Sequence, residues 1–310
     1  FDDLVFSNQL SFYLLIFIFV LFVIEKFSRR NAKYHSPLQG GFKKKQRVKL
    51  IGIKAFLAFL FCFVIFFLSF LFPIFQMLYW TILYPKNFFD LNILGLLLNT
   101  LILVAISSVV LIIFSFISNY GTRVTKSRLL NFLTTISISG YALPGVILAV
   151  AYISFVAWFD NTIILYFELQ SVKKIFIGSI LGLVIAYFVR FYSLSCNGIK
   201  SSYEKINKTL DETAYLSRYS KLKTFLNIHV PYLKSSIFFV TILISLEIIR
   251  ELPITLILRP FNFETFATTA YIYASQDLLE AAAVPSLFLV LIASLFILLI
   301  SRYILKENND

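Results

Sequence analysis

Charge is scarce in this chain. Only 14% of its 310 residues are Asp, Glu, Lys or Arg, against about 25% in a soluble domain. With 59% hydrophobic residues and a mean hydropathy of +0.85, the composition excludes a water-soluble globular domain. Histidine is limited to His35 and His229, far apart in the chain, so neither H-E-x-x-H nor a Ser–His–acid arrangement can be argued, and His35 has no second metal ligand nearby. The two cysteines argue against a disulfide framework: Cys62 lies inside an apolar run and Cys196 just after another. No G-x-x-x-x-G-K-[ST] phosphate loop is present, and Gly40-Gly41 followed by lysines is not one. Nothing in the sequence indicates an enzyme. Methionine occurs only at Met77 and the sequence begins at Phe1, which leads to the expectation of a fragment that has lost its start.

What is abundant is apolar length. A membrane-crossing helix needs about 20 residues, and seven stretches are candidates: 10–24, 51–72, 92–118, 134–158, 175–195, 235–258 and 283–304. The expected fold is therefore an all-α integral membrane protein with about seven transmembrane helices. Lys and Arg in short loops set orientation. Residues 25–54 carry ten, 119–133 three, 196–234 seven and the tail after 301 two, a total of 22 on one side. The other side has four, Lys86, Lys173, Lys174 and Arg259, and Arg190 and Arg250 lie in or near spans. The N-terminus is expected outside and the C-terminus in the cytoplasm. The net charge of +12 is then explained by topology and anionic lipid rather than by nucleic acid.

Three stretches stand out along the chain. Residues 25–50 are basic and contain Gly, and Tyr34-His35-Ser36-Pro37 is a turn signal, so they read as a cytoplasmic connector between membrane units. In the fourth span, Gly140, Pro144 and Gly145 predict a bent or broken helix, either lining a cavity or simply kinked at the membrane surface. In the sixth, SLEIIRELPITLILRP places Glu247, Arg250 and Glu251 at i, i+3 and i+4, able to share one helix face, and Pro253 invites a kink. A charge near the membrane centre costs at least about 2.5 kcal/mol. These residues are candidates for a hinge or pathway, with a structural ion pair between packed helices as the other reading. Gly178 and Gly182 suit close helix packing, and Arg190 is expected to snorkel to the cytoplasmic interface. The aromatic outer loop 259–282 is expected to bind a delivery protein or to lie as an interfacial helix.

The longest polar segment after residue 50 is Leu210 to Pro231, LDETAYLSRYSKLKTFLNIHVP. Thr209 and Glu212 have capping-box spacing, so a helix is expected to start near Thr209. The segment is either a cytoplasmic handle on which another protein pushes or a solvated amphipathic loop.

This handle resembles the EAA loop of ABC importer permeases, E-A-A-x3-G-x9-I-x-L-P. It reads Glu212-Thr213-Ala214, three residues, Arg218, nine residues, Ile228-His229-Val230-Pro231. Thr213 and Val230 are mild replacements. Arg218 stands where the family has Gly, between two short helices, and a left-handed turn is disfavoured for a residue with a Cβ. Residues 250–285 are similar to ferric-iron ABC permeases, with the pattern K-E-L-P-x-T-L-x-L-R-P-F-x-F-[DE]-T. Arg250 replaces Lys, and Glu251, Leu252, Pro253, Leu256, Leu258, Arg259, Pro260, Phe261, Phe263, Glu264 and Thr265 match. Tyr34 to Pro37 and Ala142 to Gly145 are also similar.

Those permeases are fused tandem repeats. The resemblance implies that 1–24 is the last helix of a truncated first half and 25–50 the connector. Residues 51–91 would be the first helix and outer loop of the second half. Residues 92–304 would be the type I transmembrane domain, with its coupling loop at 204–231, and 305–310 a cytoplasmic tail. It implies an ATPase-coupling surface of Asp211, Glu212, Thr213, Ala214, Arg218, Ile228 and Pro231. Hinge or pathway candidates are Pro144, Gly145, Glu247, Arg250, Glu251 and Pro253. It further implies a bacterial inner-membrane location and, as partners, an ABC ATPase dimer that uses ATP and Mg, a periplasmic binding protein and the missing permease half. The chain itself would bind no cofactor and would import ferric iron. Other readings are a permease for thiamine, a polyamine, sulfate or a phosphonate, a secondary transporter, and a structural scaffold.

Overall fold

The computed structural model describes residues 50–89, 91–125, 127–166 and 174–307, with seven isolated helical positions between 9 and 24. The expected span at 10–24 falls largely, and the 25–50 connector almost wholly, outside the described residues, as do the last three residues. Chain contacts define two units, Phe1–Gln76 and Met77–Asp310. Among the described residues there is no strand.

Helix α1, Ile53–Leu83, is apolar on every side and has no buried residue. A helix that is hydrophobic all round is solvated by lipid or by protein, not by water. Its phenylalanines stack at i,i+4: Phe59 on Phe63, Phe63 on Phe67 and Phe66 on Phe70.

Helix α2, Lys86–Phe89, is one turn. Helix α3, Ile93–Thr125, is followed by α4, Arg128–Ile138, which a 3-10 turn at Ser139–Ala142 joins to α5, Gly145–Tyr166. Then come α6, Ile180–Tyr203, α7, Lys208–Leu216, α8, Lys221–Tyr232, and α9, Lys234–Ile249. Helices α10, Pro253–Leu258, α11, Phe266–Ser275, and α12, Leu279–Glu307, complete the chain.

Among the described residues, α1, α3, α5, α6 and α12 are each long and apolar enough to cross a membrane. The pair α8 and α9 qualifies together but bends by 71°. The fourth span therefore starts at Gly145 rather than 134. Leu143 precedes a proline and is extended, with ψ 133°, because Pro Cδ excludes the helical conformation there. The sixth span ends at Ile249, and Pro253 opens a new helix at a position where its missing N–H costs nothing.

The core lies where α3, α6 and α9 meet. Leu103, Leu111, Leu183, Tyr187, Phe191, Ile199 and Ile244 are buried there. Polar side chains knit α3 to α6: Asn119 Nδ2 donates to Ser115 O at 2.8 Å and Cys196 O at 3.1 Å, and the Tyr192 hydroxyl lies 2.6 Å from Ser118 Oγ. The Gly178 and Gly182 pair is not a helix-packing motif. Gly178 has φ 66° in the turn before α6, and Gly182 sits in the first turn of α6, where its N–H donates to the capping Ser179 hydroxyl.

Asp160, in α5, is fully buried, and no sequence signal singled it out. Its carboxylate accepts from Phe176 N at 3.1 Å and Ile177 N at 3.0 Å, anchoring the turn that leads into α6. Charged hydrogen bonds of this kind contribute about 1.5–3 kcal/mol, and leaving the N–H groups unpaired adds to the loss. Asp160→Ala is expected to destabilise the fold by about 2–3 kcal/mol, with Asp160→Asn losing less, as read by unfolding in detergent.

Candidate functional site

The handle is built as two short helices. Asn207 starts α7: its carbonyl accepts from Leu210 N at 3.2 Å and its side-chain oxygen from Thr209 N at 3.3 Å. The capping box expected at Thr209 and Glu212 is thus displaced by an Asn cap two residues earlier. Thr209 lies inside the helix, and its carbonyl accepts from Thr213 Oγ1 at 2.8 Å.

Arg218 terminates α7 in the left-handed conformation, φ 57°. Tyr219 N donates to Ala214 O at 3.0 Å, the six-to-one bond of a Schellman cap. A residue with a Cβ holds this left-handed position at a cost of about 1–2 kcal/mol. Ser220 then caps α8 by accepting from Lys223 N at 3.3 Å, and Lys223 Nζ lies 4.5 Å from the centre of the Tyr219 ring.

One carboxylate holds this assembly to the bundle. Asp211 points inward and lies between Arg123, at the end of α3, and His229, in α8. Arg123 Nε donates to Asp211 Oδ2 at 2.8 Å, and His229 Nε2 lies 2.9 Å from Asp211 Oδ1. The same guanidinium donates to Tyr203 O at 3.0 Å, at the end of α6, and to Ile206 O at 3.1 Å, in the turn that follows. A cation is thus placed at a helix C-terminus and an acid in the first turn of the next helix, both favoured by the helix dipoles. His229 is fully buried, its ring against Tyr120 at 5.3 Å and Tyr203 at 5.4 Å. The Tyr120 hydroxyl donates to Lys221 O at 2.6 Å, which ties α8 to α3.

The expected coupling residues therefore divide. Asp211 and the buried Ala214 face the bundle. Glu212, Thr213, Arg218 and Pro231 are exposed, beside the exposed Leu216, Leu222 and Leu226, and Ile228 is half-buried. Arg123, His229 and Tyr120 were not among the expected site residues. An Arg closing a long apolar run, and a His within the motif, were the available signals.

A second constellation joins the two helix breaks. Arg190 does not snorkel. α6 runs on to Tyr203, so Arg190 lies near its middle, about 20 Å from that end at 1.5 Å per residue. Its Nε is 3.2 Å from Glu251 Oε2, and Nη1 donates to Leu143 O at 3.2 Å. Glu251 is buried, and its other oxygen accepts from Ile254 N at 3.3 Å, capping α10. Its carbonyl accepts from Thr255 Oγ1 at 2.8 Å, and that hydroxyl pairs with the buried Tyr187 hydroxyl. A Cβ on Gly145 would come within 2.8 Å of Arg190 Nη1 and 3.1 Å of Glu251 Oε1, so a side chain there would make the ion pair shift.

Glu247 and Arg250 pair with each other, and the Arg250 side chain is 68% exposed. They do not share a face with Glu251, because α9 ends at Ile249 and the chain turns before Glu251. Beyond the break, Arg259 pairs with Glu264, and Asn262 takes φ 60° in the intervening turn. In the outer loop, Phe266, Ala267, Thr268 and Thr269 at the start of α11 are buried, Tyr271, Ala274 and Ser275 are exposed, and α11 packs on α12. Among the described residues no cluster of three or more His, Cys, Asp or Glu side chains is placed to hold a metal ion.

No protein-family model and no curated protein matches the chain. Solved structures do. One is a crystal structure of a bacterial ABC transporter involved in the import of the acidic polysaccharide alginate. Its matching chain has a TM-score of 0.63 at 16% identity, covering 80% of this chain and 94% of that one. Another is a bacterial alginate ABC transporter in complex with an alginate pentasaccharide-bound periplasmic protein, with TM-score 0.62 at 15% identity, covering 79% and 92%. The fold of the present chain is that of these transporter chains.

Arg123 and Asp211 are expected to show a coupling energy of about 1–3 kcal/mol in a double-mutant cycle of Arg123→Gln and Asp211→Asn, measured by unfolding in detergent. Burial holds the His229 pKa below the ordinary imidazole value, and Asp211 opposes the shift only in part. The unfolded chain therefore takes up this proton more readily than the folded one. Stability is full above about pH 6.5 and declines as pH falls below it. The melting temperature is expected to drop between pH 7.5 and 5.5, and to drop less in His229→Gln.

Proposed function

We propose that this chain is the permease subunit of an ATP-driven ABC importer. The observation that carries the reading is the handle at 208–232. Its motif spacing resembles the EAA loop, a left-handed Arg218 joins its two helices, and its outer face presents Glu212 with exposed leucines. The fold shared with alginate transporter chains supports it. A cytoplasmic ATPase dimer docks on that outer face and hydrolyses ATP with Mg. This chain is not an enzyme.

The substrate of this reading is ferric iron, delivered by a periplasmic binding protein. Support comes from the match of residues 250–265 to the ferric-iron permeases. The chain lies in a bacterial inner membrane with its C-terminus in the cytoplasm, as the distribution of Lys and Arg favours. A permease half upstream of residue 25 completes the pathway. Closure of the ATPase dimer favours one orientation of the handle and so shifts the population between inward- and outward-facing states. Asp211 carries the displacement to α3 and α6 through Arg123, and the breaks around Arg190 and Glu251 supply the points of flexure.

The test is reconstitution of the full-length protein with its ATPase and binding protein in liposomes, following ATP hydrolysis and uptake of labelled ferric iron. Uptake that requires both partners is expected. Uptake without the ATPase would overturn the reading in favour of a secondary transporter, and hydrolysis stimulated without iron uptake would reopen the substrate. In the same assay Glu212→Ala is expected to lower coupled uptake about tenfold or more while the protein still inserts in the membrane; a tenfold change corresponds to about 1.4 kcal/mol. Glu251→Gln is expected to impair uptake while leaving ATPase docking intact. Loss of the assembled complex in that variant would make the Arg190–Glu251 pair purely structural.

A further inference from the structure

A cleft of about 350 Å³ opens between α3, α4 and α6, beside the handle. Asn119, Thr122, Arg123, Asn131, Lys200 and Glu204 are among the residues that line it. Asn119 is committed to backbone carbonyls and Cys196, and Arg123 to Asp211 and the end of α6. Lys200 and Asn131 are different. Both are exposed, and neither side chain has a protein partner among the described residues. They offer an ammonium and an amide N–H₂ to an anion. Arg128 and Lys205 are exposed nearby in sequence, and Glu204 is the single carboxylate in the lining.

The outer wall of the cleft is α4, which has an unusual face. Leu129, Phe132, Leu133 and Ile136 follow i, i+3, i+4 and i+7 spacing, and all four are exposed. An amphipathic helix with an apolar stripe and a basic flank lies in the membrane interface with that stripe among acyl chains. The level agrees. α3 has 33 residues, well beyond the length that spans the hydrocarbon, and the cleft is at its polar end. Free inorganic phosphate would use the cations but has no use for the stripe. A phospholipid uses both: its phosphate meets Lys200 and Asn131 while its chains lie along α4.

We propose that this cleft binds the headgroup of an anionic phospholipid. The site does not depend on the transport reading and stands or falls separately from it. The lipid sits against Arg123, the residue that anchors Asp211, so its occupancy stiffens the attachment of the handle.

The test is native mass spectrometry of the purified full-length protein, titrated with phosphatidylglycerol and, separately, with phosphatidylcholine. Phosphatidylglycerol is expected to bind preferentially. Lys200→Gln is expected to weaken it about fivefold, the contribution of one lysine near an anionic surface. Asn131→Asp, which places a carboxylate in the same cleft, is expected to weaken it further. Lys234→Gln removes the same charge outside the cleft and is expected to leave binding unchanged. An unaltered melting temperature shows that each variant is folded. Equal binding by wild type and both cleft variants would overturn the proposal, as would an equal loss in Lys234→Gln. Displacement of the lipid by equimolar inorganic phosphate would make the site one for a free anion and would equally overturn it.

Discussion

Asp211 is the residue on which the attachment of the handle depends. It is the only acid in the first turn of α7, and it faces the bundle while its neighbour Glu212 faces out. One of its oxygens meets Arg123 and the other faces His229, so a single side chain draws together α3, α7 and α8. Arg123 extends the contact to the last residue of α6 and to the turn after it. These groups are half-buried or buried, where a charge pair is less screened than at the surface. Any displacement of α7 must either move α3 and α6 or break this contact. That makes the short helices a lever with a fixed point of attachment.

A second ion pair governs the membrane region in a different way. Arg190 lies within α6 and Glu251 is buried at the break between α9 and α10, where each charge alone would be costly. They meet where two helices are interrupted, at Leu143-Pro144 and at Arg250 to Leu252. Each side chain satisfies backbone left open by a break: Arg190 donates to Leu143 O, and Glu251 accepts from Ile254 N. The charges therefore compensate one another and also repair the interrupted helices. Gly145 leaves room for the ion pair, which occupies the space a side chain would take.

The sequence was most legible where the signal is local. Apolar length located five spans among the described residues, with boundaries off by several residues. Pro144 and Pro253 announced breaks that the helices do have. Motif spacing marked the handle, although the cap was Asn207 and not Thr209. Arg218 shows the limit of propensity: its left-handed cost is real, but the packing of Asp211, Ala214 and His229 fixes the turn regardless. What was not legible was pairing at a distance. Arg123 and Asp211 are 88 residues apart, and nothing in either neighbourhood names the other. Arg190 was misplaced because apolar length ended its span too early. Asp160 was overlooked because its partners are backbone N–H groups, which every residue but proline carries.

The most direct test of the account is amide hydrogen exchange on wild type and Arg123→Gln in lipid nanodiscs. If the Asp211 contact is what holds the handle, the amides of residues 208–216 lose protection in the variant while those of α3 and α6 between residues 100 and 115 and 183 and 199 do not. Unchanged protection across 208–216 would contradict the account, because the handle would then be held by packing alone.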